Sequence, residues 1–257
     1  MSLNTARLDR FISEHCNISR RSVRLMLAQK RIKVDNSIAD DIGLRIDKFS
    51  KITLDDNVLQ DNQALYLMLN KPIGVVSATV DKLHKTVIDL LDEQDVFFDG
   101  LSEQKESLHI VGRLDLNTSG MLLLTNDSRW SERLTSPEHK VEKCYRVTLK
   151  NPLTDDYIDA FAAGMYFSFE NITTKPAKFK IIANKTSSQG NEYIAEVKLI
   201  EGRYHQIKRM FGRFRNPVIG LHRQAIGNLL LDDNLATGKS RLLTDDEVLG
   251  IFIKQQA

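Results

Sequence analysis

Asp115 is the residue from which a chemical reading of this chain starts. It lies two residues after an arginine in Gly112-Arg113-Leu114-Asp115-Leu116-Asn117-Thr118-Ser119-Gly120. The small polar turn after it feeds Met121 to Leu124, an apolar run of the length expected for a buried strand. A loop held at a strand edge is a usual place for a reactive group. The competing expectation is that Asp115 caps the turn and pairs with Arg113. Ser119 invites comparison with a hydrolase nucleophile, but the G-x-S-x-G elbow is absent, because Gly112 lies seven residues before it. Two more stretches gather reactive side chains. One is Glu142 to Val147, with Tyr145 at or within a strand; the other is Glu201-Gly202-Arg203-Tyr204-His205-Gln206-Ile207-Lys208-Arg209-Met210-Phe211. His205 beside Gln206 lacks a second ligand three or four residues away, so local structure or contact with a partner suits it better than metal binding. Cys16 and Cys144 stand far apart with no metal-ligand neighbours and read as ordinary thiols. His109, His139 and His222 are isolated.

The net charge over 257 residues is only +2, which alone says little about partners. Its distribution says more. Asn17 to Lys33 holds six basic residues (Arg20, Arg21, Arg24, Lys30, Arg31, Lys33) and no acidic one. Arg203 to Arg223 holds six more (Arg203, Lys208, Arg209, Arg213, Arg215, Arg223), again with no acidic residue. Acidic residues collect near 89 to 106 and 232 to 247 instead. Charge segregated in this way marks surfaces that meet phosphates. A hydrophobic fraction of 42% with 27% charged residues is ordinary for a globular protein. No apolar run approaches the roughly 20 residues that span a bilayer. The opening residues lack the apolar core of a signal peptide, so a cytoplasmic protein is expected. Met1 to Leu3 could be foreign to the natural chain.

The elements that must position these residues fall into two groups. Leu8, Phe11 and Ile12 recur at helical spacing in Thr5 to Glu14, and Ser19 is placed to cap a second helix, Arg20 to Gln29. A short strand, Arg31 to Val34, and the turn Asp35-Asn36 follow. Residues 56 to 64 are polar and almost patternless, which predicts a linker. The resulting partition is a small module over 1–58, a linker over 59–64 and a larger domain over 65–257. In the larger domain, strand candidates are Leu65 to Leu69, Ser107 to Val111, Met121 to Leu124, Cys144 to Leu149, Phe179 to Ile182, Tyr193 to Ile200, Val218 to Ile219 and Asn228 to Leu231. Helices are predicted over Thr86 to Leu91, Pro152 to Ala163 and His205 to Phe214, with a last one starting at the capping box Thr244-Asp245-Asp246-Glu247. Many short strands with few helices between them predict an α+β fold, a mostly antiparallel sheet with helices on its flanks.

The block G-R-L-D-x-x-T-S-G-x-L-L-L-T-N-D, from Gly112 to Asp127, resembles the signature of RNA pseudouridine synthases, in the branch that modifies ribosomal RNA. Leu69-Asn70-Lys71-Pro72 through Ser77, the block around Tyr145 and the block from Glu201 to Phe211 resemble further segments of that family, in the same chain order. Residues 7 to 55, with R-L-D-R-F-I, I-S-R-R-S-V-R and R-I-K-V-D-N, resemble the S4 (α-L) RNA-binding fold. The resemblance implies a catalytic Asp115, a Tyr145 that packs on the target base, and a Lys208 that pairs with the aspartate. Such a cation holds a pocketed carboxylate in its charged form, ready to act as nucleophile or base. Arg113, beside the catalytic loop, is expected to fill the space of the flipped nucleotide. Arg20, Arg21, Arg24, Lys30, Arg31, Arg203, His205, Gln206 and Arg209 are expected to contact RNA.

Isomerising uridine involves no net redox change and no phosphoryl transfer, so no metal and no cofactor is expected. The implied partner is ribosomal RNA, in particular small-subunit RNA or a pre-ribosomal particle, with no membrane and a monomeric protein. The segment Glu170 to Ala177, and a chain ending at Ala257 without a long basic tail, favour the small-subunit branch, for which uridine 516 of 16S RNA is the expected target. The alternatives are a large-subunit paralogue, a non-catalytic S4-type assembly factor and a nucleoside glycosidase.

Overall fold

The computed structural model describes residues 5–92, 107–186 and 190–253. Met1 to Leu3, most of the acidic stretch near 89 to 106 and the chain end from Lys254 lie outside the described residues. The chain divides into two compact units, Met1–Ala64 and Leu65–Ala257.

In the first unit, β1 (Thr5–Arg7) precedes two helices, α1 (Leu8–His15) and α2 (Arg20–Ala28). Ser19 caps α2, its hydroxyl accepting from the Ser22 amide at 3.1 Å. Then come β2 (Ile32–Val34), β3 (Ser37–Ile38), β4 (Arg45–Asp47), β5 (Ile52–Leu54) and β6 (Asn57–Gln60). Strands β3-β2-β5-β6 form one sheet, and β1 pairs with β4. Leu8 and Ile12 of α1, Val23 and Leu27 of α2, and Ile32, Ile46 and Ile52 of the strands share one core.

Two expectations change here. The first helix begins at Leu8, because Thr5 to Arg7 pair with Arg45 to Asp47, a partner about forty residues away that no local pattern reveals. The linker expected from residue 56, or from 59 by the domain boundary, is shorter, because Asn57–Gln60 is a strand against β5. Asp55 and Asp56 both adopt positive φ, 51° and 63°, which is the backbone of a tight hairpin turn. Polar composition hid a hairpin set by turn geometry rather than by apolar alternation.

The second unit is built on a nine-stranded sheet. Its strands are β7 (Tyr66–Lys71), β8 (His109–Val111), β9 (Ser119–Thr125), β10 (Lys143–Leu149), β13 (Lys178–Lys185), β14 (Glu192–Leu199), β15 (Val218–Ile226), β16 (Leu229–Leu230) and β17 (Ser240–Leu242), with β11 (Tyr166–Phe167) and β12 (Ile172–Thr173) forming a separate ribbon. The helices are α3 (Val87–Asp92), α4 (Ser128–Thr135), α5 (Asp156–Ala163), α6 (Gln206–Gly212) and α7 (Asp245–Gly250). The spatial order β13-β14-β10-β15-β9-β7-β17 is antiparallel except where β15 meets β9 in parallel at Ser119 and Gly120. The fold is α+β.

The central strands read as continuous apolar runs because both of their faces are covered. Leu67, Leu69, Leu122 and Leu124 enter one core with Tyr157 and Phe161 of α5 and with Met210 and Phe211 of α6. Met68, Met121 and Leu123 enter a second core on the other face with Trp130 and Leu134 of α4. Helix α4 was not expected, although Asp127 caps it by accepting from the amide of Arg129 at 3.0 Å, and Trp130 and Leu134 stand one turn apart. The predicted helix over Pro152 to Ala163 starts later, at Asp156. The strand predicted at Val218 and Ile219 runs on to Ile226.

Candidate active site

The loop that carries Asp115 lies between β8 and β9, where the sheet itself is discontinuous. Strand β9 uses one edge for β7 from Gly120 to Thr125 and shares the other between β15 at Ser119–Gly120 and β8 at Leu123–Thr125. In the gap, the guanidinium of Arg223 replaces a strand: its Nε donates to the Met121 carbonyl at 2.7 Å. Gly120 permits this close approach. Its φ is +101°, and a Cβ there would stand 2.3 Å from the Arg223 carbonyl oxygen.

Three anchors then set the loop. The Ser77 hydroxyl donates to the Leu114 carbonyl at 2.9 Å and accepts from the Leu114 amide at 3.1 Å. The Gly74 amide donates to the Leu116 carbonyl at 2.9 Å. Lys71, fully buried at the end of β7, donates from Nζ to the carbonyls of Pro72 (2.9 Å), Asp115 (3.2 Å) and Thr118 (2.8 Å). The Asp115 carbonyl also accepts from the Thr118 amide at 3.0 Å, closing a turn. Burial pushes the Lys71 ammonium down to about 8, with nearby Asp115 opposing the shift and Arg223 adding to it.

The Asp115 side chain leaves the loop toward α6. Lys208 Nζ donates to its Oδ2 at 3.3 Å, and His205 Nε2 lies 3.5 Å from the same oxygen. The carboxylate is about one-third exposed, open to a ligand on one side. The sequence-level pairing of Asp115 with Arg113 gives way to pairing across the fold with Lys208. His205 reaches the site through an unusual backbone: it adopts left-handed geometry, φ 48°, just ahead of α6. That conformation is held from behind. Gln206 Nε2 donates to Glu201 at 2.7 Å, the Gln206 carbonyl oxygen of the side chain accepts the Arg203 amide at 3.0 Å, and Ile207, Met210 and Phe211 are buried below.

Tyr145, on β10, forms the inner wall. It is 7% exposed and stands opposite Arg223 on β15. Arg223 Nη1 donates to the Tyr145 hydroxyl at 3.4 Å, whereas its Nη2 is buried without a hydrogen-bond partner. Nearby, burial pushes the Lys143 ammonium down to about 8, and Arg223 adds to the shift. The cleft over these groups has a volume of about 720 Å³, with Arg113, Asp115, Tyr145, Arg203, Tyr204 and His205 among its lining. Lys208 lines a smaller pocket of about 80 Å³ that shares Asp115 and Tyr145. Asp115, Tyr145, Lys208, Arg113, Arg203 and His205 are therefore brought together from three separate segments.

Three residues expected to contact RNA are engaged otherwise. Gln206 is 3% exposed and braces the turn before α6. Arg209 makes two bonds to Glu170, both 2.5 Å, with its guanidinium 3.7 Å from the Phe167 ring. Arg31 forms an ion pair with Asp55. Each already has a partner within the protein. Arg20, Arg21, Arg24 and Lys30 are exposed on the first unit.

Sequence reasoning missed Lys71 and Arg223 as parts of the site. Arg223 had a signal: it shares the inward phase of β15 with Leu221 and Ala225, where a charge is out of place. Lys71 likewise closes a run of buried residues. Among the described residues, no cluster of three or more His, Cys, Asp or Glu side chains could hold a metal ion, and no helix is long and apolar enough to cross a membrane.

Comparison with known proteins agrees with this geometry. Residues 65–212 match the RNA pseudouridylate synthase family. Ribosomal small subunit pseudouridine synthase A of Pseudomonas aeruginosa is 42% identical over 246 residues, which is 95% of this chain and 100% of that protein. Proteins of the same name from Yersinia pestis and Escherichia coli K12 are each 39% identical over 95% of this chain, covering 97% and 99% of their own lengths. A crystal structure of a pseudouridylate synthase, 36% identical, superposes with a TM-score of 0.64 over 95% of this chain and 99% of that one.

Proposed function

This chain belongs to the RNA pseudouridylate synthase family, and from that premise we propose that it isomerises one uridine of small-subunit ribosomal RNA, with Asp115 as its catalytic group. It is a pseudouridine synthase. The reaction breaks the bond between uracil N1 and the ribose C1′, turns the freed base, and joins C5 to C1′. C5 gives up a proton and N1 gains one, so substrate and product are isomers.

The observation that carries the assignment is the Asp115 carboxylate at the mouth of a cleft, 3.3 Å from Lys208 and 3.5 Å from His205. Asp115 serves as the group that attacks the nucleotide or removes its proton, and Lys208 supplies the counter-charge. Tyr145 forms the wall on which the target base rests; such stacking is sequence-tolerant. A uridine inside a stacked helix cannot reach a carboxylate set in a cleft, so the base must be turned out into it. Arg113, exposed at its edge, takes the space left behind. The first unit, with Arg20, Arg21, Arg24 and Lys30 on its surface, acts as an S4-type RNA-binding domain that grips the phosphate backbone. The protein works as a monomer in the cytoplasm, where its RNA is. The names of its relatives support 16S RNA as substrate, and uridine 516 is the proposed target.

The test is a map of pseudouridines in ribosomal RNA from cells with the gene, without it, and complemented by Asp115→Asn. Loss of one pseudouridine in 16S RNA, restored by the wild type and not by the variant, is the expected result. The purified variant should bind RNA within a few-fold of wild type, because the amide preserves shape and loses charge. A missing modification in 23S RNA would move the substrate to the large subunit, and full rescue by the variant would remove Asp115 from the chemistry.

A further inference from the structure

Among the described residues, Tyr204 has no side-chain hydrogen-bond partner, yet its ring is fixed in place. Its ring is 72% exposed and lies flat against His205, with centroids 3.9 Å apart and planes within 20°. His205 in turn lies 3.5 Å from the Asp115 carboxylate, and both rings line the cleft. A large aromatic ring with one face covered and the other bare, at the rim of a cleft, is a ready surface for another flat ring.

The backbone around it is braced. Arg209 Nη1 donates to the Tyr204 carbonyl at 3.3 Å. Gln206 ties the residues on either side through Glu201 and the Arg203 amide, and His205 is held at φ 48°. A platform fixed in this way loses little freedom when a ligand stacks on it. Arg113 is exposed in the same cleft and carries positive charge that a phosphate backbone needs, and Arg203, paired with Glu201 at 3.1 Å, lines it too.

We infer that Tyr204 is the stacking platform for one nucleotide adjacent to the target uridine, so that the enzyme holds two unstacked bases, the target on Tyr145 and its neighbour on Tyr204. This rests on the reading of the protein as an enzyme that turns a base out of RNA. Turning one base out breaks stacking on both of its sides, and the neighbour then needs a new surface. Every base has a π-face, so Tyr204 selects for an unpaired neighbour rather than for its identity. The subsite therefore favours RNA whose strand is already open beside the target.

The experiment uses the full chain and a substrate RNA carrying a single abasic nucleotide at each position flanking the target, with binding followed by fluorescence anisotropy and chemistry by single turnover. Tyr204→Ala should weaken RNA binding about tenfold, with a maximal single-turnover rate within about threefold of wild type and an unchanged melting temperature. Tyr204→Phe, which keeps the ring, should behave as wild type. At one flanking position the abasic RNA should bind wild type about tenfold more weakly and Tyr204→Ala no more weakly than intact RNA does. Equal affinity of Tyr204→Ala and wild type would overturn the inference, as would abasic penalties that persist in full at both neighbours in the variant. A fall in maximal rate with normal affinity would also overturn it, since Tyr204 would then act only by buttressing His205. Failure of the wild type to form pseudouridine would count against the parent reading instead, and the anisotropy comparison would still decide the platform.

Discussion

Replacing Lys71 by methionine separates two things that this buried ammonium does. The first is electrostatic. Its ordinary value of 10.5 falls to about 8 in the fold, a gap worth about 3 kcal/mol at ~1.36 kcal/mol per unit. Below pH 8 both folded and unfolded chains hold the proton, and the fold bears the whole cost. Between about 8 and 10.5 the unfolded chain binds more protons, so stability rises with pH across that window.

The second contribution is anchoring. Lys71→Met leaves the carbonyls of Pro72 and Thr118 without this donor, while Asp115 keeps the Thr118 amide. Two such losses cost ~1–3 kcal/mol each, against about 3 kcal/mol recovered by removing the buried charge. Near neutral pH the two nearly cancel, and net stability should change by less than about 3 kcal/mol. The loop is a different matter, because it loses its tie to β7, and a displacement of ~1 Å at the reacting group can cost ~100-fold in rate. We expect single-turnover activity to fall about 10- to 100-fold in a protein that remains folded.

Urea denaturation of wild type and variant near pH 7.5 and again near pH 10 checks the first part. The stability difference should move about 2–3 kcal/mol in favour of wild type at the higher pH. Using the difference matters, because Lys143, also near 8, and Cys144, pushed up to about 11 by burial and Glu196, titrate in both proteins. A difference that stays flat with pH would refute the electrostatic argument, and a wild-type rate in Lys71→Met would refute the anchoring argument.

Lys208→Met removes the counter-charge 3.3 Å from Asp115 and should lower the single-turnover rate at saturating enzyme at least tenfold, about 1.4 kcal/mol; weaker binding with a normal rate would return Lys208 to a phosphate-contacting role. Gly120→Ala places a methyl 2.3 Å from the Arg223 carbonyl oxygen at φ +101°. It should cost more than about 3 kcal/mol in urea denaturation, and a loss under about 1 kcal/mol would mean the β9–β15 junction gives way easily. Replacing Arg20, Arg21 and Arg24 together by serine should flatten the log–log salt dependence of RNA binding by about 0.7–0.9 per lost phosphate contact, and an unchanged slope would mean that this face does not touch RNA.

The chain's own order already carried the reaction. The Gly112 to Asp127 block, the Tyr145 strand and the Glu201 to Phe211 block were legible because the residue types and their near neighbours are local properties. The same holds for α2 with its Ser19 cap and for the capping box at Thr244, where both bonds form within four residues. The run Met121–Leu124 announced a buried strand, and Leu65–Leu69 a second strand.

What the tertiary structure decided lies in partners far apart along the chain. Asp115 meets Lys208 across 93 residues, and Arg223 fills the gap in β9 across 102. Thr5 to Arg7 becomes a strand only because β4 passes beside it. Arg209 likewise pairs with Glu170, 39 residues away. Periodicity reports which side of an element is apolar, and motifs report which atoms are reactive. Neither reports which distant carbonyl or carboxylate will satisfy a cation once it is buried, and at Lys71 and Arg223 that pairing is what holds the reactive carboxylate's loop in place.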